Sequence, residues 1–328
     1  MKRTISVLLS VMQMLMLTGC AMLNINFSGH SDSKVHIAIQ PSAAFVPMFV
    51  AREEGWIEEA LEAYGVSVVW DSFESGPPMN EALLAEDADI GVIGDVPTVT
   101  VCAPGNDVEV IAVAAQAARS YAVLVPTDSD ITGAADLKGK RIAATFGSTA
   151  HNLVEKYLKT AGLTIEDVEL VNIAAGDAAT VLSMNQADAV AIWEPTVTRL
   201  SDSGSVRILG EGPDCGLAGT NAIVCRTSFA RNNPEIVTAI LTQYKRAADA
   251  LADPSSLKDD TLKNVAAYLS VEEAQLGTIL EKFSYTVEIS QEDIFALNDT
   301  IDFLNRNRIL KVSYDISEST DGSYYKRR

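Results

Sequence analysis

Histidine and cysteine are scarce in this sequence, which has three histidines and four cysteines among 328 residues. No two cysteines stand as Cys-x-x-Cys, and the histidines are His30, His36 and His151. Structural zinc sites take four ligands, mostly from these two residue types. The sequence therefore predicts no metal site, and nothing in it calls for a cofactor.

The motifs of common enzyme classes are also missing. The chain has no Gly-x-Ser-x-Gly elbow, no Gly-x-x-x-x-Gly-Lys-Ser/Thr loop and no His-Glu-x-x-His. Gly147-Ser148-Thr149-Ala150 carries two hydroxyls, but nothing in the sequence supplies a base that would activate them. We therefore predict a protein that is not an enzyme.

Basic residues are few: 25 Lys and Arg stand against 44 Asp and Glu, for a net charge of −19. Proteins that bind nucleic acid need a basic surface for the phosphates, so this balance excludes that class. The acidity is typical of a soluble surface and says nothing about a small ligand, which local dipoles capture.

The N-terminus carries an export signal. Lys2 and Arg3 precede an apolar run, Ile5 to Leu17, that is too short to span a bilayer. The run closes on Leu17-Thr18-Gly19-Cys20, which resembles the bacterial lipoprotein signal. That resemblance implies a signal peptide over 1–19 and a lipid on Cys20. We expect a flexible tether over 20–33 and a chain held on the outer face of the cytoplasmic membrane.

Three further cysteines, Cys102, Cys215 and Cys225, are an odd number, so they cannot all pair within the chain. Cys215 and Cys225 either bridge the segment between them or remain buried thiols, as Cys102 does.

Apolar runs and amphipathic stretches alternate along most of the chain, which predicts an α/β fold with parallel strands. Two such sets follow one another, and we predict two lobes: 34–124 together with 220–328, and 125–219. Two crossing segments, near Tyr121–Pro126 and Gly219–Val224, would join the lobes as a hinge beside a ligand cleft. The chain after Asn233 is mostly helical, and the polar end from Val312 to Arg328 is expected to be a surface tail.

Short polar or glycine-containing turns follow several predicted strands. Because strand ends meet at one edge of an open α/β sheet, these turns predict a site for a small ligand with an anionic head. Glycine lets the backbone approach such a ligand closely. The turns are Gln40-Pro41-Ser42, Ser75-Gly76-Pro77-Pro78, Gly94-Asp95, Gly147-Ser148-Thr149 and Trp193-Glu194-Pro195.

Several of these residues have a second interpretation. Ser148 or Thr149 either caps the following helix or holds the anion with it. Trp193 either covers the ligand's tail or packs in the core or the hinge. Asp95 and Glu194 each accept a hydrogen bond from the ligand or cap a helix. We expect His151, in a first helical turn, to be solvated or to act as a cap.

Taken together, these motifs resemble the substrate-binding lipoproteins of bacterial ABC importers for aliphatic sulfonates, nitrate and taurine. The resemblance runs from about Val35 to the C-terminal end of the chain. It rests on Ser75-Gly76-Pro77-Pro78, Asp89-Ile90-Gly91, Gly94-Asp95-Val96-Pro97, Asp136-Leu137-Lys138-Gly139-Lys140, Gly147-Ser148-Thr149-Ala150-His151 and Ala189-Val190-Ala191-Ile192-Trp193-Glu194-Pro195.

The resemblance implies a type 2 periplasmic-binding fold and delivery of a captured solute to a membrane permease driven by a cytoplasmic ATPase. It points to an aliphatic sulfonate, with nitrate, taurine or a thiamine-pyrimidine precursor as alternatives, and to a monomer. A pyrimidine synthase-like enzyme and a ligand sensor are further alternatives. The ligand-binding positions it implies are Gln40, Gly76, Pro77, Gly94, Asp95, Ser148, Thr149 and Trp193, to which the turns themselves add Ser42 and Glu194.

Overall fold

The structure is a computed structural model that describes residues 33–326. The predicted signal peptide, Cys20 and nearly all of the predicted tether lie outside the described residues. Residues 34–326 belong to one compact unit. It contains two β-sheets, each with its own cluster of buried apolar side chains. We call each sheet with its apolar cluster a lobe, and the predicted α/β fold with two lobes is confirmed.

The first lobe is built on a six-stranded sheet in the order β11-β4-β10-β3-β1-β2. β1 runs parallel to β3, whereas β10 runs antiparallel to both β3 and β4. Apolar residues with little alternation form the central strands, as expected for strands buried on both faces. The strands are β1 Ser33–Ile39, β2 Val66–Ser72, β3 Ile90–Gly94, β4 Val108–Gln116, β10 Thr220–Arg226 and β11 Ser284–Tyr285.

The second lobe is built on a five-stranded sheet in the order β7-β6-β8-β5-β9. β6 runs parallel to β7 and β8, and β5 runs antiparallel to β8 and β9. The strands are β5 Tyr121–Pro126, β6 Arg141–Ala144, β7 Glu169–Asn172, β8 Ala189–Trp193 and β9 Val206–Glu211.

Thirteen α-helices lie within the described residues. Many begin where the sequence signals a helix start: Pro234 opens the longest of them, and Ser290 caps another by accepting from the Asp293 amide. The helices are α1 Val46–Glu54, α2 Trp56–Glu62, α3 Gly76–Leu84, α4 Asp95–Val101, α5 Thr149–Thr160, α6 Ala178–Ser183, α7 Thr196–Asp202, α8 Thr227–Asn232, α9 Pro234–Ala250, α10 Thr261–Tyr268, α11 Glu273–Leu280, α12 Gln291–Arg306 and α13 Ser323–Lys326.

The chain crosses between the sheets at 117–120 and at 212–219. The crossings lie side by side, since the Ala117 amide donates to the Gly219 carbonyl at 3.1 Å. Gly219 has a φ of +66°, and a Cβ there would lie 2.6 Å from the Ala117 carbonyl carbon. Both crossings thus precede the predicted segments: Tyr121–Pro126 is strand β5 of the second sheet, and residues 220–226 are strand β10 of the first.

The C-terminal end differs from the predicted surface tail. Ile316 and Tyr324 are buried, and Tyr324 is only 1% exposed. The Tyr324 hydroxyl donates to Glu109 Oε1 at 3.0 Å, and Thr320 bridges to Val110 of β4. The segment is polar in composition because its apolar residues are widely spaced, but Ile316 and Tyr324 among them belong to the first core.

The cysteines of the described region, Cys102, Cys215 and Cys225, are free thiols. Cys102 and Cys225 are buried, and Cys215 is partly exposed. Of the two alternatives from the sequence, the structure has the one without a bridge. Within residues 33–326, no helix is both long and apolar enough to cross a membrane.

Candidate functional site: a cleft between the lobes

Ten residues from both lobes line a cleft between the two sheets. Seven of them were predicted from the strand-end turns, and the structure brings these seven together. The lining residues are Gln40, Ser42, Gly76, Gly94, Pro97, Tyr121, Ser148, Thr149, Trp193 and Asn221.

Tyr121, Asn221 and Pro97 were not predicted. Tyr121 and Asn221 follow the two crossing segments, and the Tyr121 hydroxyl donates to Asn221 Oδ1 at 3.2 Å. Burial, and to a smaller extent the Asp95 carboxylate, raise the pKa of Tyr121, so this phenol is a neutral donor at physiological pH. The sequence offered one signal for these residues, their place beside the lobe crossings.

Helix α5 presents its N-terminus to the cleft. Ser148 is the N-cap residue, but its hydroxyl donates to the Thr145 carbonyl at 2.7 Å, and no side chain accepts from the first-turn amides. The His151 amide donates to the Ser148 carbonyl at 3.1 Å, which leaves the Thr149 and Ala150 amides at the start of the helix, where the helix dipole adds positive potential. The alternative in which the Ser148 side chain caps the helix is therefore not realised, and α5 offers N–H donors to an anion.

Helices α3 and α4 of the first lobe offer fewer donors than the turn sequences suggest. Pro77 and Pro78 have no N–H, so the first turn of α3 has lost two donors. In α4 the Val96 amide donates to Asp95 Oδ1 at 2.7 Å, and Pro97 has no N–H. Backbone N–H donors at the cleft thus come mainly from α5, with prolines forming part of the facing wall.

The glycines of the cleft are places of close approach. A Cβ on Gly76 would lie 2.5 Å from Pro97 Cγ, within the first lobe. A Cβ on Gly94 would lie 2.3 Å from Thr149 Oγ1, which belongs to the second lobe. Pro77 lies at the edge, where its Cγ is 3.4 Å from the Cβ position of Gly147.

The cleft lining carries no charged side chain, although the chain as a whole is strongly acidic. The polar groups of the lining residues are hydroxyls, carboxamides, the Trp193 indole N–H and the backbone. Gln40 is nine-tenths buried, and its Oε1 has no hydrogen-bond partner among the described residues. A buried amide in this condition is unfavourable by about 1–3 kcal/mol unless a ligand or water pairs with it, which marks Gln40 as a group that awaits a polar partner.

Asp95 and Glu194, two predicted ligand contacts, are placed elsewhere. Glu194 is fully buried; its carboxylate accepts from the Thr198 amide and hydroxyl and pairs with Lys282 Nζ at 2.5 Å. It therefore follows the alternative of helix capping, at α7. Asp95 is 3% exposed and accepts from Val96, Asn152 and Thr300. Neither residue is among those that line the cleft.

His151 is neither solvated nor a cap, contrary to expectation. It is 6% exposed, its ring stacks on Phe146 at 5.0 Å, and Phe303 of the first lobe meets it edge-on at 5.8 Å. Burial lowers the pKa of His151, with Glu155 opposing this. Phe303, which covers the second side of the His151 ring, lies on α12, and the sequence pattern does not indicate that α12 packs beside α5.

Trp193 combines two of its interpretations. It ends β8, is 9% exposed, lies in the second lobe's apolar cluster and lines the cleft. One side of the indole thus packs in the core while another part meets the ligand space.

Comparison with known proteins places this architecture in a family. The family model described as NMT1/THI5 like matches residues 42–257, about two-thirds of the chain. The chain belongs to the NMT1/THI5-like family. The matched range includes both crossings and nine of the ten residues that line the cleft, all except Gln40.

Relatives of this NMT1/THI5-like chain are binding proteins. A Bacillus subtilis (strain 168) protein named as an aliphatic sulfonates-binding protein is 28% identical over 335 residues, covering 100% of this chain and 97% of the relative. The taurine-binding periplasmic protein of Escherichia coli (strain K12) is 29% identical, covering 87% of this chain and 90% of the relative.

A solved structure agrees. The alkanesulfonate-binding protein SsuA from Xanthomonas axonopodis pv. citri, bound to MOPS, superposes with a TM-score of 0.79 at 26% identity. The match covers 88% of this chain and 98% of that one. The resemblance predicted from the turns, and the periplasmic-binding fold that it implied, are confirmed.

Proposed function

We propose that this protein is an extracytoplasmic solute-binding protein that captures an aliphatic sulfonate between its lobes and delivers it to an ABC importer. The observation that carries the proposal is the uncapped N-terminus of α5, which faces a cleft lined only by uncharged groups. The sulfonate-binding relatives and the SsuA structure support the same ligand class.

The chemistry of a sulfonate suits this cleft. A sulfonate is ionised at any physiological pH and accepts hydrogen bonds through three oxygens, so it needs donors rather than a proton acceptor. The α5 amides and the Gln40 carboxamide N–H groups offer such donors without a buried cation. An apolar wall that includes Pro97 and Trp193 fits an alkyl tail.

The same lining favours a simple alkanesulfonate over taurine. Taurine carries an ammonium group, which loses its hydration in a cleft and needs a carboxylate or several acceptors in return. No carboxylate lines the cleft, and Asp95 has its oxygens occupied. We therefore expect ethanesulfonate, which has taurine's two-carbon chain without the ammonium group, to bind more tightly.

Entry of the ligand requires the lobes to separate. The cleft encloses about 20 Å³, which is the room of about one water molecule. We propose that opening occurs by bending at the paired crossings, 117–120 and 212–219, which connect two otherwise separate cores.

Binding without catalysis follows from the same residues. Ser42, Ser148 and Thr149 are the hydroxyls of the cleft, and none of the ten lining residues is a base that would activate them. We also propose that the protein acts as a monomer held by a lipid on Cys20. Loss of membrane association in a Cys20→Ser variant would test the anchor.

Calorimetric titration tests the ligand. The panel is ethanesulfonate, butanesulfonate, taurine, nitrate and a thiamine-pyrimidine precursor, with thermal shift as a second readout. We expect both alkanesulfonates to bind and taurine to bind at least about tenfold more weakly, a difference of about 1.4 kcal/mol. Binding of nitrate alone, or of the pyrimidine precursor alone, would show that the protein binds that ligand class and not sulfonates. If none of the five compounds binds, the proposal is overturned.

A further inference from the structure

Asp95 joins the two lobes through a cluster of three buried polar side chains, which we call the clasp: Asp95, Asn152 and Thr300. Asp95 Oδ2 accepts from Asn152 Nδ2 and from Thr300 Oγ1, both at 2.9 Å. Asp95 begins α4 and Thr300 lies on α12, both in the first lobe, whereas Asn152 lies on α5 of the second. All three side chains are buried.

The Asp95 carboxylate is held without a cation. No salt bridge reaches it in the described part of the chain, and its other oxygen accepts the Val96 amide at 2.7 Å. A buried carboxylate is costly unless hydrogen-bond donors surround it. One of its two side-chain donors, Asn152, is lost whenever the lobes separate. The carboxylate therefore has more hydrogen bonds in the closed form than in a partly open form in which water does not yet replace the Asn152 donor.

The clasp is mechanically linked to the ligand space. Asn152 lies one turn along α5 from Ser148 and Thr149, which line the cleft. A helix of twelve residues moves as a rigid unit over that distance. An anion that fixes the α5 N-terminus against the first lobe therefore also brings Asn152 to Asp95.

We propose that Asp95 is a positioning residue whose clasp with Asn152 and Thr300 stabilises the ligand-bound closed form. This inference rests on the proposed function, because it assumes that the cleft closes on an anion. It departs from the expectation that Asp95 contacts the ligand itself. The clasp stabilises closure through a hydrogen bond between the lobes and not through contact with the ligand. Exchanging Asp95 and Asn152, its two cross-lobe partners, should therefore preserve that stabilisation.

The decisive experiment exchanges the carboxylate of Asp95 and the carboxamide of Asn152. Asp95→Asn and Asn152→Asp each disrupt the cross-lobe pair, whereas Asp95→Asn/Asn152→Asp rebuilds it with the carboxylate on α5. We expect each single variant to bind ethanesulfonate about tenfold or more weakly and to show less compaction on ligand addition by small-angle X-ray scattering. The double variant should recover most of both. A loss of affinity in the double variant equal to the combined single losses would overturn the proposal.

Controls separate the clasp from general effects at the lobe contact. Asp299→Asn alters a neighbouring cross-lobe carboxylate, paired with Lys156 at 2.5 Å but 41% exposed, and should change affinity less than about twofold. If Asp95→Asn fails to fold, Asn152→Ala removes the cross-lobe donor without touching the first lobe and should weaken binding. An unchanged affinity in Asn152→Ala would overturn the proposal.

The failure of the clasp and the failure of the proposed function are distinguishable. If wild-type protein binds no sulfonate, the proposed function fails. If wild-type protein binds and compacts, and Asp95→Asn and Asn152→Asp do the same with equal affinity, the proposed function stands and the clasp does not.

Discussion

Gly94 and Thr149 meet across the cleft so closely that the first has no room for a methyl group. A Cβ on Gly94 would lie 2.3 Å from Thr149 Oγ1. Gly94 has a φ of −71° and a ψ of 176°, a conformation open to any residue. The glycine is thus required by the opposite lobe, and not by its own backbone.

Gly94→Ala tests this contact. The methyl group forces either the Thr149 hydroxyl or the lobes to move, at a cost of about 1–3 kcal/mol, which we expect to appear as about tenfold weaker sulfonate binding or more. The melting temperature should change little, since the strain is relieved by opening. Gly133→Ala is the matched control: Gly133 has an extended backbone and open space around its Cβ position. Equal affinities for the two variants would contradict the closed contact.

Ser148→Asp tests the anion site at α5. A carboxylate at the N-cap accepts the first-turn amides and interacts favourably with the helix dipole, so the fold should be as stable as before or slightly more so. The same carboxylate repels a sulfonate and takes its donors, and binding should fall below detection in calorimetry. Ser148→Asn is nearly the same size without the charge and should retain measurable binding. An Asp variant that binds as well as the Asn variant would place the anion elsewhere.

His151 makes folding stability depend on pH. Its folded pKa is lowered by burial below the ordinary value of 6.5. The unfolded chain therefore binds a proton first as the pH falls, so the stabilisation is complete above pH 6.5 and is lost as the pH falls below it. We expect urea midpoints to decline less between pH 7.5 and 5 in His151→Gln than in wild type. Parallel profiles for the two proteins would contradict the assignment.

Lys282→Met tests the buried pair with Glu194. The Lys282 side chain is 12% exposed and Glu194 is fully buried, so removing the cation leaves a carboxylate unpaired in the interior. We expect the free energy of unfolding to fall by about 3 kcal/mol or more, measured by urea denaturation. Lys138→Met removes a largely exposed lysine that lies 3.5 Å from Asp167 and serves as the control, with little expected change.

The turn residues carried most of the predictive information for the cleft. Glycines and hydroxyls that directly follow buried strands must lie at one edge of the sheet, so Gly76, Gly94, Ser148 and Thr149 were predictable from local pattern alone. Asp95 and Glu194 had the same pattern, yet both accept hydrogen bonds within the protein. Their partners Thr300 and Lys282 lie far along the chain, on a helix and in a turn respectively, and no local spacing indicates which distant segment will supply a donor.

The sequence by itself determined the alternation of strands and helices, the two lobes, and the family resemblance, because periodicity and turn chemistry are local properties. The tertiary structure decided which predicted contacts face the ligand space. In the folded chain, Asp95 accepts hydrogen bonds from side chains on α5 and α12, and His151 is buried between two phenylalanines. Tyr324 packs in the first core. Each of these outcomes depends on side chains that become neighbours only when the chain crosses twice between its sheets.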